Sequence, residues 1–258
     1  MILFIAGTSD ARELAIRISE EGYPLLATVV TENAAIELQR AHLSVQVGRL
    51  DADEIVKLIE EKGMSAIVDG SHPFAEEASK NAMRAAGEAQ IPYFRYERES
   101  QTFQYDKLTL VNDYEEAAEE AAKRKGVVML TTGSKTLATF TKKLLPIEDI
   151  RLIARMLPRK DNMEKCEDLG LPQKNIVAIQ GPFTKEFDQA LYKQYGVTLM
   201  VTKESGKVGS VDEKLSAARE LGIETIMIRR PRIEYKEVYS DFPSILEALK
   251  KTVQLQKY

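Results

Sequence analysis

Short apolar runs rich in β-branched residues alternate with amphipathic stretches from one end of the chain to the other. Runs at residues 2–6, 25–30, 45–47, 66–69, 93–96, 108–111, 127–131, 152–154, 176–179, 198–202 and 225–229 predict strands, most of them closed by turn-forming residues. Between most of them apolar positions recur at helical spacing, as at 11–21, 51–62, 75–89 and 213–221, and a terminal helix is predicted over 246–258. Strands that are apolar almost throughout belong to sheets buried on both faces, and strand–helix alternation calls for mostly parallel sheets covered by helices. The fold class is therefore α/β.

There are more strands than one simple five-stranded sheet needs, and the opening of the chain is echoed midway. Residues 2–6 run into Gly7-Thr8-Ser9-Asp10, and residues 127–132 run into Gly133-Ser134-Lys135-Thr136; each is an apolar run, one glycine, small hydroxyl residues and a helix. The echo predicts two Rossmann-like domains, residues 1–98 and 99–258, divided near 97–102 and with an interdomain cleft. Strand–Gly–Ser turns recur in any α/β chain, so an accidental likeness is the rival reading.

Composition narrows the setting. Hydrophobic residues at 44% and charged residues at 29% fit a soluble globular chain, and a net charge of -4 gives no global support for a nucleic-acid partner, although local basic patches stay open. The apolar start lacks basic residues and breaks at Gly7, too early for a leader or a membrane span, so a cytoplasmic protein without a membrane partner is expected. One cysteine, Cys166, excludes an intrachain disulfide framework, and with His42 and His72 scattered there is no zinc spacing. No metal site is expected, though one built only of carboxylates stays open. Oligomeric state is not legible.

The candidate chemistry lies where predicted strands end, because ligands of open parallel sheets bind at strand carboxyl ends. In Gly7-Thr8-Ser9-Asp10 the glycine allows close backbone approach, Ser9 or Asp10 is expected to cap the helix with Glu13 completing a box, and the free amides suit a phosphate. This is not a full G-x-G-x-x-G fingerprint, so simple helix capping competes with cofactor binding. Glu32 stands where a Rossmann acid would meet a ribose hydroxyl, which favours NADH over NADPH.

Asp69-Gly70-Ser71-His72-Pro73-Phe74-Ala75 reads as strand, tight turn and helix start, with Pro73 in the first helical turn. His72 is a candidate to donate a proton, bind an anion or merely bond its own turn, and Phe74 either offers an aromatic face or belongs to the core. Gln180-Gly181-Pro182-Phe183-Thr184 and Thr202-Lys203-Glu204-Ser205-Gly206 are later turns of the same kind, with Thr184 able to cap a helix and Lys203 suited to an anion. Arg155, Arg229 and Arg230 follow strands and either clamp carboxylates or pair with surface acids.

Taken in order, Gly7-Thr8-Ser9-Asp10-Ala11-Arg12, Asp69-Gly70-Ser71-His72-Pro73-Phe74-Ala75, Leu130-Thr131-Thr132-Gly133, Gln180-Gly181-Pro182-Phe183, Thr202-Lys203-Glu204-Ser205-Gly206 and Arg229-Arg230-Pro231 resemble the precorrin-6A reductase family of cobalamin biosynthesis, including its cobalt-precorrin-6A branch. The likeness runs from the first strand to about Pro231. Asp10 stands where the family more often has Glu, Gly70-Ser71 where Ala-Thr is frequent, and Glu204 where Asp is usual; each keeps charge or size class.

The resemblance implies two Rossmann-like domains that admit strand exchange, and a hydride transfer from NADH or NADPH to a double bond of a tetrapyrrole substrate. It implies cofactor binding by Gly7, Thr8, Ser9, Asp10, Glu32, Gly70 and Ser71. It implies substrate binding by His72, Phe74, Gly133, Gly181, Pro182, Phe183, Lys203, Ser205, Gly206, Arg229 and Arg230, with His72 the candidate catalytic residue. Cobalt would enter with the substrate and need no protein ligand. A methyltransferase or other two-domain cleft enzyme, and a non-catalytic nucleotide-binding sensor, are the competing classes.

Overall fold

In chain order the elements are β1 (Ile2–Ala6), α1 (Ser9–Glu20), β2 (Leu25–Val29), α2 (Glu32–Arg40), β3 (Ser44–Val47), α3 (Ala52–Lys62), β4 (Ala66–Gly70), α4 (Glu76–Glu88) and β5 (Tyr93–Tyr96). There follow β6 (Leu108–Val111), α5 (Tyr114–Ala122), β7 (Gly126–Leu130), α6 (Leu137–Leu144), β8 (Ile150–Met156), α7 (Lys160–Asp168), β9 (Ile176–Ala178), α8 (Lys185–Tyr195) and β10 (Leu199–Lys203). The chain closes with α9 (Glu213–Glu220), β11 (Glu224–Ile228), β12 (Val238–Tyr239) and α10 (Phe242–Thr252). This is a computed structural model that describes residues 1–99, 105–204 and 213–253.

The chain divides into two compact units, Met1–Glu99 with Arg232–Tyr258, and Ser100–Pro231. The expected second domain, 99–258, is therefore too long at its C-terminal end. The cause is a strand and a helix at the end of the chain that complete the first unit. β12 pairs in parallel with β5, and Ile245 and Leu249 of α10 are fully buried in the same core layer as Ile2 and Phe4.

Each unit holds one six-stranded sheet, ordered β12-β5-β4-β1-β2-β3 in the first and β6-β11-β10-β7-β8-β9 in the second, with every pairing between described residues parallel. Both have the doubly wound dinucleotide order, 3-2-1-4-5-6. In each, the sixth place is taken by a strand from outside the consecutive run of five: β12 from the chain end in the first sheet, β6 in the second.

The apolar runs become strands because both faces of each sheet are covered. Along β1 the alternation divides the core of the first unit: Ile2 and Phe4 pack with Leu14, Ile18 and Leu38, whereas Leu3 packs with Ile55, Ile59 and Ala85. In the second unit Met129, Ile153 and Met200 meet Tyr192 and Leu215 from α8 and α9. The last helix starts earlier than the predicted 246, because Asp241 caps it through the Ser244 amide at 2.8 Å and Pro243 occupies its first turn. Among the described residues no helix is long and apolar enough to cross a membrane.

Candidate functional site

β1 and β4 lie side by side at the centre of the first sheet, and their chains leave to opposite sides, towards β2 and towards β5. That makes their carboxyl ends the topological switch point of the unit, the place where such sheets take ligands. Two glycines let the backbones close up there. The Gly7 amide donates to Gly70 O at 3.1 Å, and a Cβ on Gly7 would lie 2.4 Å from the His72 amide nitrogen. A Cβ on Gly70 would lie 2.7 Å from Ala11 Cβ and 3.2 Å from the Phe4 ring. The turn after β1 is thus packed against the backbone of the turn after β4, and Gly70 lies close against Ala11 at the start of α1.

Gly7 and Ser9 are exposed at the N-terminus of α1, whose first-turn amides have no intrahelical acceptor. The cap is Thr8, which accepts from the Ala11 amide at 3.3 Å, and neither Ser9 nor Asp10 takes that place. β1 ends at Ala6, so Thr8 is the residue still extended where the helix begins. Replacing Thr8 with Ala should cost about 1 kcal/mol of stability, read from denaturant midpoints. Asp10 turns inward instead: it is buried and its Oδ2 lies 2.6 Å from Arg98 Nε. Glu32 is the exposed first residue of α2 at the exit of β2, with Thr31 capping that helix through the Ala34 amide.

Ser71-His72-Pro73-Phe74 forms a turn before α4, closed by the Ala75 amide donating to His72 O at 2.7 Å. Pro73 therefore lies outside the helix, which starts at Glu76 without a side-chain cap. His72 is exposed, and its Nδ1 accepts from the Phe74 amide at 3.2 Å, so the neutral ring carries its hydrogen on Nε2. The rings of His72 and Phe74 are 5.8 Å apart and tilted.

Beneath this turn lies a polar network that the sequence pattern did not reveal. Asp69, on β4, is fully buried and accepts from the Ser71 amide (2.9 Å), Ser79 Oγ (2.7 Å) and Tyr93 OH (2.6 Å). It also pairs with Arg95 at 3.1 Å. Arg95 is itself fully buried, grips Glu97 at 2.6 Å and donates to Ser71 Oγ at 3.0 Å. Its guanidinium lies over the Tyr235 ring, 5.1 Å from the centroid. Burial works against the charge on Arg95, but Asp69, Tyr235 and Glu97 outweigh it and raise the guanidinium pKa. Burial, followed by the Asp69 charge, pushes the Tyr93 hydroxyl far up and keeps it a donor. Ser71 thus turns its hydroxyl into this network, and only its backbone borders the loop. Tyr93-Phe94-Arg95-Tyr96, a charge set among aromatics in a strand, was the one signal in the sequence.

In the second unit the switch point falls between β7 and β10. Thr131 is tied to Val201 O by its amide and its hydroxyl, at 2.9 and 3.1 Å. Gly133 follows with φ 80, a conformation that favours glycine, and with nothing within 4 Å of a Cβ placed on it. Lys203 ends β10; burial first, then the charges of Lys214 and Lys135, lowers its ammonium pKa to about 8. The Arg155–Asp188 ion pair is buried, and Arg155 lies 4.5 Å from the centroid of Phe183, which stacks on Phe187 at 5.2 Å. Thr184 caps α8 through the Phe187 amide. Gly181-Pro182 is a cis peptide.

The structure thus gathers Gly7, Thr8, Ser9, Gly70, Ser71 and His72 at one switch point and places Gly133 and Lys203 at the other. Arg229 and Arg230 sit at the exit of β11: exposed Arg229 donates to Asn112 Oδ1 at 3.3 Å, and the Arg230 amide donates to Glu204 Oε2 at 3.1 Å. Ser205 and Gly206 lie outside the described residues. Among the described residues no group of three or more His, Cys, Asp or Glu could hold a metal ion.

A family model described as "Precorrin-6x reductase CbiJ/CobK" matches residues 1–250. A cobalt-precorrin-6A reductase of Priestia megaterium is 68% identical over 249 residues, covering 96% of this chain and 98% of the relative. A protein of the same description from Methanothermobacter thermautotrophicus is 34% identical, over 98% of this chain and 84% of the relative. A solved structure described as "CobK precorrin-6A reductase" superposes with a TM-score of 0.80 at 24% identity, covering 98% of this chain and 96% of that one, and so shares the fold.

Proposed function

The chain belongs to the Precorrin-6x reductase CbiJ/CobK family and is an oxidoreductase of cobalamin biosynthesis acting on cobalt-precorrin-6A; from this premise we propose that the first unit holds a reduced nicotinamide dinucleotide and the second holds acidic arms of the tetrapyrrole. The methyltransferase and sensor readings are set aside by the family. One observation carries the assignment of the first unit: the Gly7–His72 backbone contact at the switch point, beside the exposed start of α1.

When bound, the nicotinamide supplies the hydride that saturates one double bond of the macrocycle. The residues around it bind and orient. Amides of Thr8 and Ser9 meet the pyrophosphate at the helix N-terminus. Glu32, at the exit of β2, accepts from a ribose hydroxyl and repels a 2′-phosphate, so NADH is favoured over NADPH. His72, exposed on the turn beside Gly7, is the residue placed to contact substrate or cofactor. In the second unit Lys203 and the Thr131–Gly133 turn take carboxylates, and Phe183, fixed over Arg155, offers apolar surface.

Anaerobic mixing with cobalt-precorrin-6A and each nicotinamide tests the assignment through the visible spectrum of the ring. A spectral change that is faster with NADH is expected. A ring that stays unchanged with both nicotinamides removes the cofactor reading.

Lys203 gives a pH prediction. Its folded pKa, about 8, lies below the ordinary 10.5, so the unfolded chain holds the extra proton between those values and stability rises with pH across that window. The penalty is fully present below about pH 8. Lys203→Met should lack the rise from pH 8 to 10.5 seen in the parent, measured as denaturant midpoints. A parallel rise in both proteins contradicts it.

A further inference from the structure

The geometry points to Arg95 as a positioning residue for the cofactor loop, acting through Ser71 on the junction where Gly7 meets His72. It touches neither cofactor nor substrate, being fully buried. This inference rests on the reading that the first unit holds the nicotinamide.

Three observations lead to it. Arg95 reaches the β4 turn twice, through Asp69 at 3.1 Å and through Ser71 Oγ at 3.0 Å. Asp69 in turn accepts the Ser71 amide at 2.9 Å, so both the backbone and the side chain of Ser71 are held from below. Ser71 and His72 are also the residues whose backbone atoms a Cβ on Gly7 would strike, at 2.7 and 2.4 Å. A displacement of Ser71 therefore moves the surface against which the Gly7 turn is packed. Close-packed backbones transmit such shifts, because they leave no void to absorb them.

Arg95 is also over-determined in a way a purely structural pair does not need. Glu97 fixes it with two bonds, from Nε at 3.0 Å and Nη2 at 2.6 Å, and the Tyr235 ring covers its face at 5.1 Å. The strand after Tyr235 pairs with the strand that carries Arg95, whose amide donates to Glu237 O at 3.1 Å. One guanidinium thus connects the end of the chain to the cofactor turn. Two residues on from Glu97's neighbour Tyr96, Arg98 holds Asp10 at 2.6 Å, so the exit of β5 secures both halves of the switch point.

The test uses Ser71→Ala, which deletes the Arg95–turn hydrogen bond and keeps the Arg95–Asp69 pair, together with Arg95→Lys, which keeps a cation but loses the fork. Binding of NADH is followed by its own fluorescence, excited in the nicotinamide band where protein side chains do not absorb. Arg95→Lys should raise the Kd and KM for NADH about tenfold while kcat at saturating NADH stays within about twofold, a split that mere destabilisation does not produce, and Ser71→Ala should raise the Kd about tenfold. Gly7→Ala is the control for the underlying reading. If Gly7→Ala weakens NADH binding while Ser71→Ala leaves Kd within about twofold of the parent, the positioning role is wrong. If Gly7→Ala also leaves it unchanged, the cofactor is not held there at all. Should Arg95→Lys fail to fold, Ser71→Ala alone decides the matter.

Discussion

Asp69→Ala should lower the unfolding temperature of the first unit by about 10 °C. The carboxylate is fully buried and serves the Ser71 amide, Ser79, Tyr93 and Arg95 at 2.6–3.1 Å. Its removal leaves a buried guanidinium short of one counter-charge and takes away an acceptor shared by the Ser71 amide, Ser79 Oγ and Tyr93 OH. Breaking a buried ion pair typically costs about 3–5 kcal/mol. Because Glu97 stays on Arg95 at 2.6 Å, the lower end applies, and about 3 kcal/mol shifts a unit of this size by about 10 °C. The natural comparison is Glu37→Ala, which breaks the Arg12–Glu37 pair at 2.6 Å, where Glu37 is half exposed and about 0–1 kcal/mol is at stake. Calorimetry that finds Asp69→Ala no more damaging than Glu37→Ala would show that the network is not what holds the β4 turn.

The second large effect is on binding. Gly7→Ala should weaken NADH binding about a hundredfold, some 3 kcal/mol, with a smaller loss of stability. The added methyl meets backbone, the His72 nitrogen at 2.4 Å and Ser71 Cα at 2.7 Å, and not the yielding end of a side chain. The turns after β1 and β4 must then part, and the amides of Thr8 and Ser9 leave their places. Overpacking of this kind usually costs about 1–3 kcal/mol in the fold itself. Fluorescence titration of NADH and the steady-state KM read the binding effect separately from a melting curve. Unaltered NADH affinity in a folded Gly7→Ala protein would locate the cofactor elsewhere.

Much of the architecture was legible because parallel sheets buried on both faces write themselves as continuous apolar runs. The predicted run at 93–96 became β5 without change, and 66–69 gained only Gly70. β12 escaped notice for the opposite reason. Val238–Tyr239 is two residues long, and its place beside β5 is set by where the chain returns, which no local period records. The cap of α1 was misplaced by one or two residues because Thr8, Ser9 and Asp10 can all cap, and only the exact end of β1 selects among them. Asp10 was free for another role and took Arg98. Alternation along β5 gives Arg95 no sign of burial; Asp69, Ser71, Glu97 and Tyr235 reach it from other parts of the chain. The turns of the candidate site were readable, since glycine and hydroxyl residues after a strand announce themselves. What fixes those turns was not.

The placement of the last strand and helix sets an order of events during synthesis. Synthesis runs from the N-terminal side, yet the first unit lacks a sheet strand and the Ile245–Leu249 face of its core until the residues after 231 emerge. The second unit, whose residues are consecutive, has all its parts earlier. Of the two units, the one begun first is therefore completed second, and its nascent segment waits with an open sheet edge that the later strand β12 must reach.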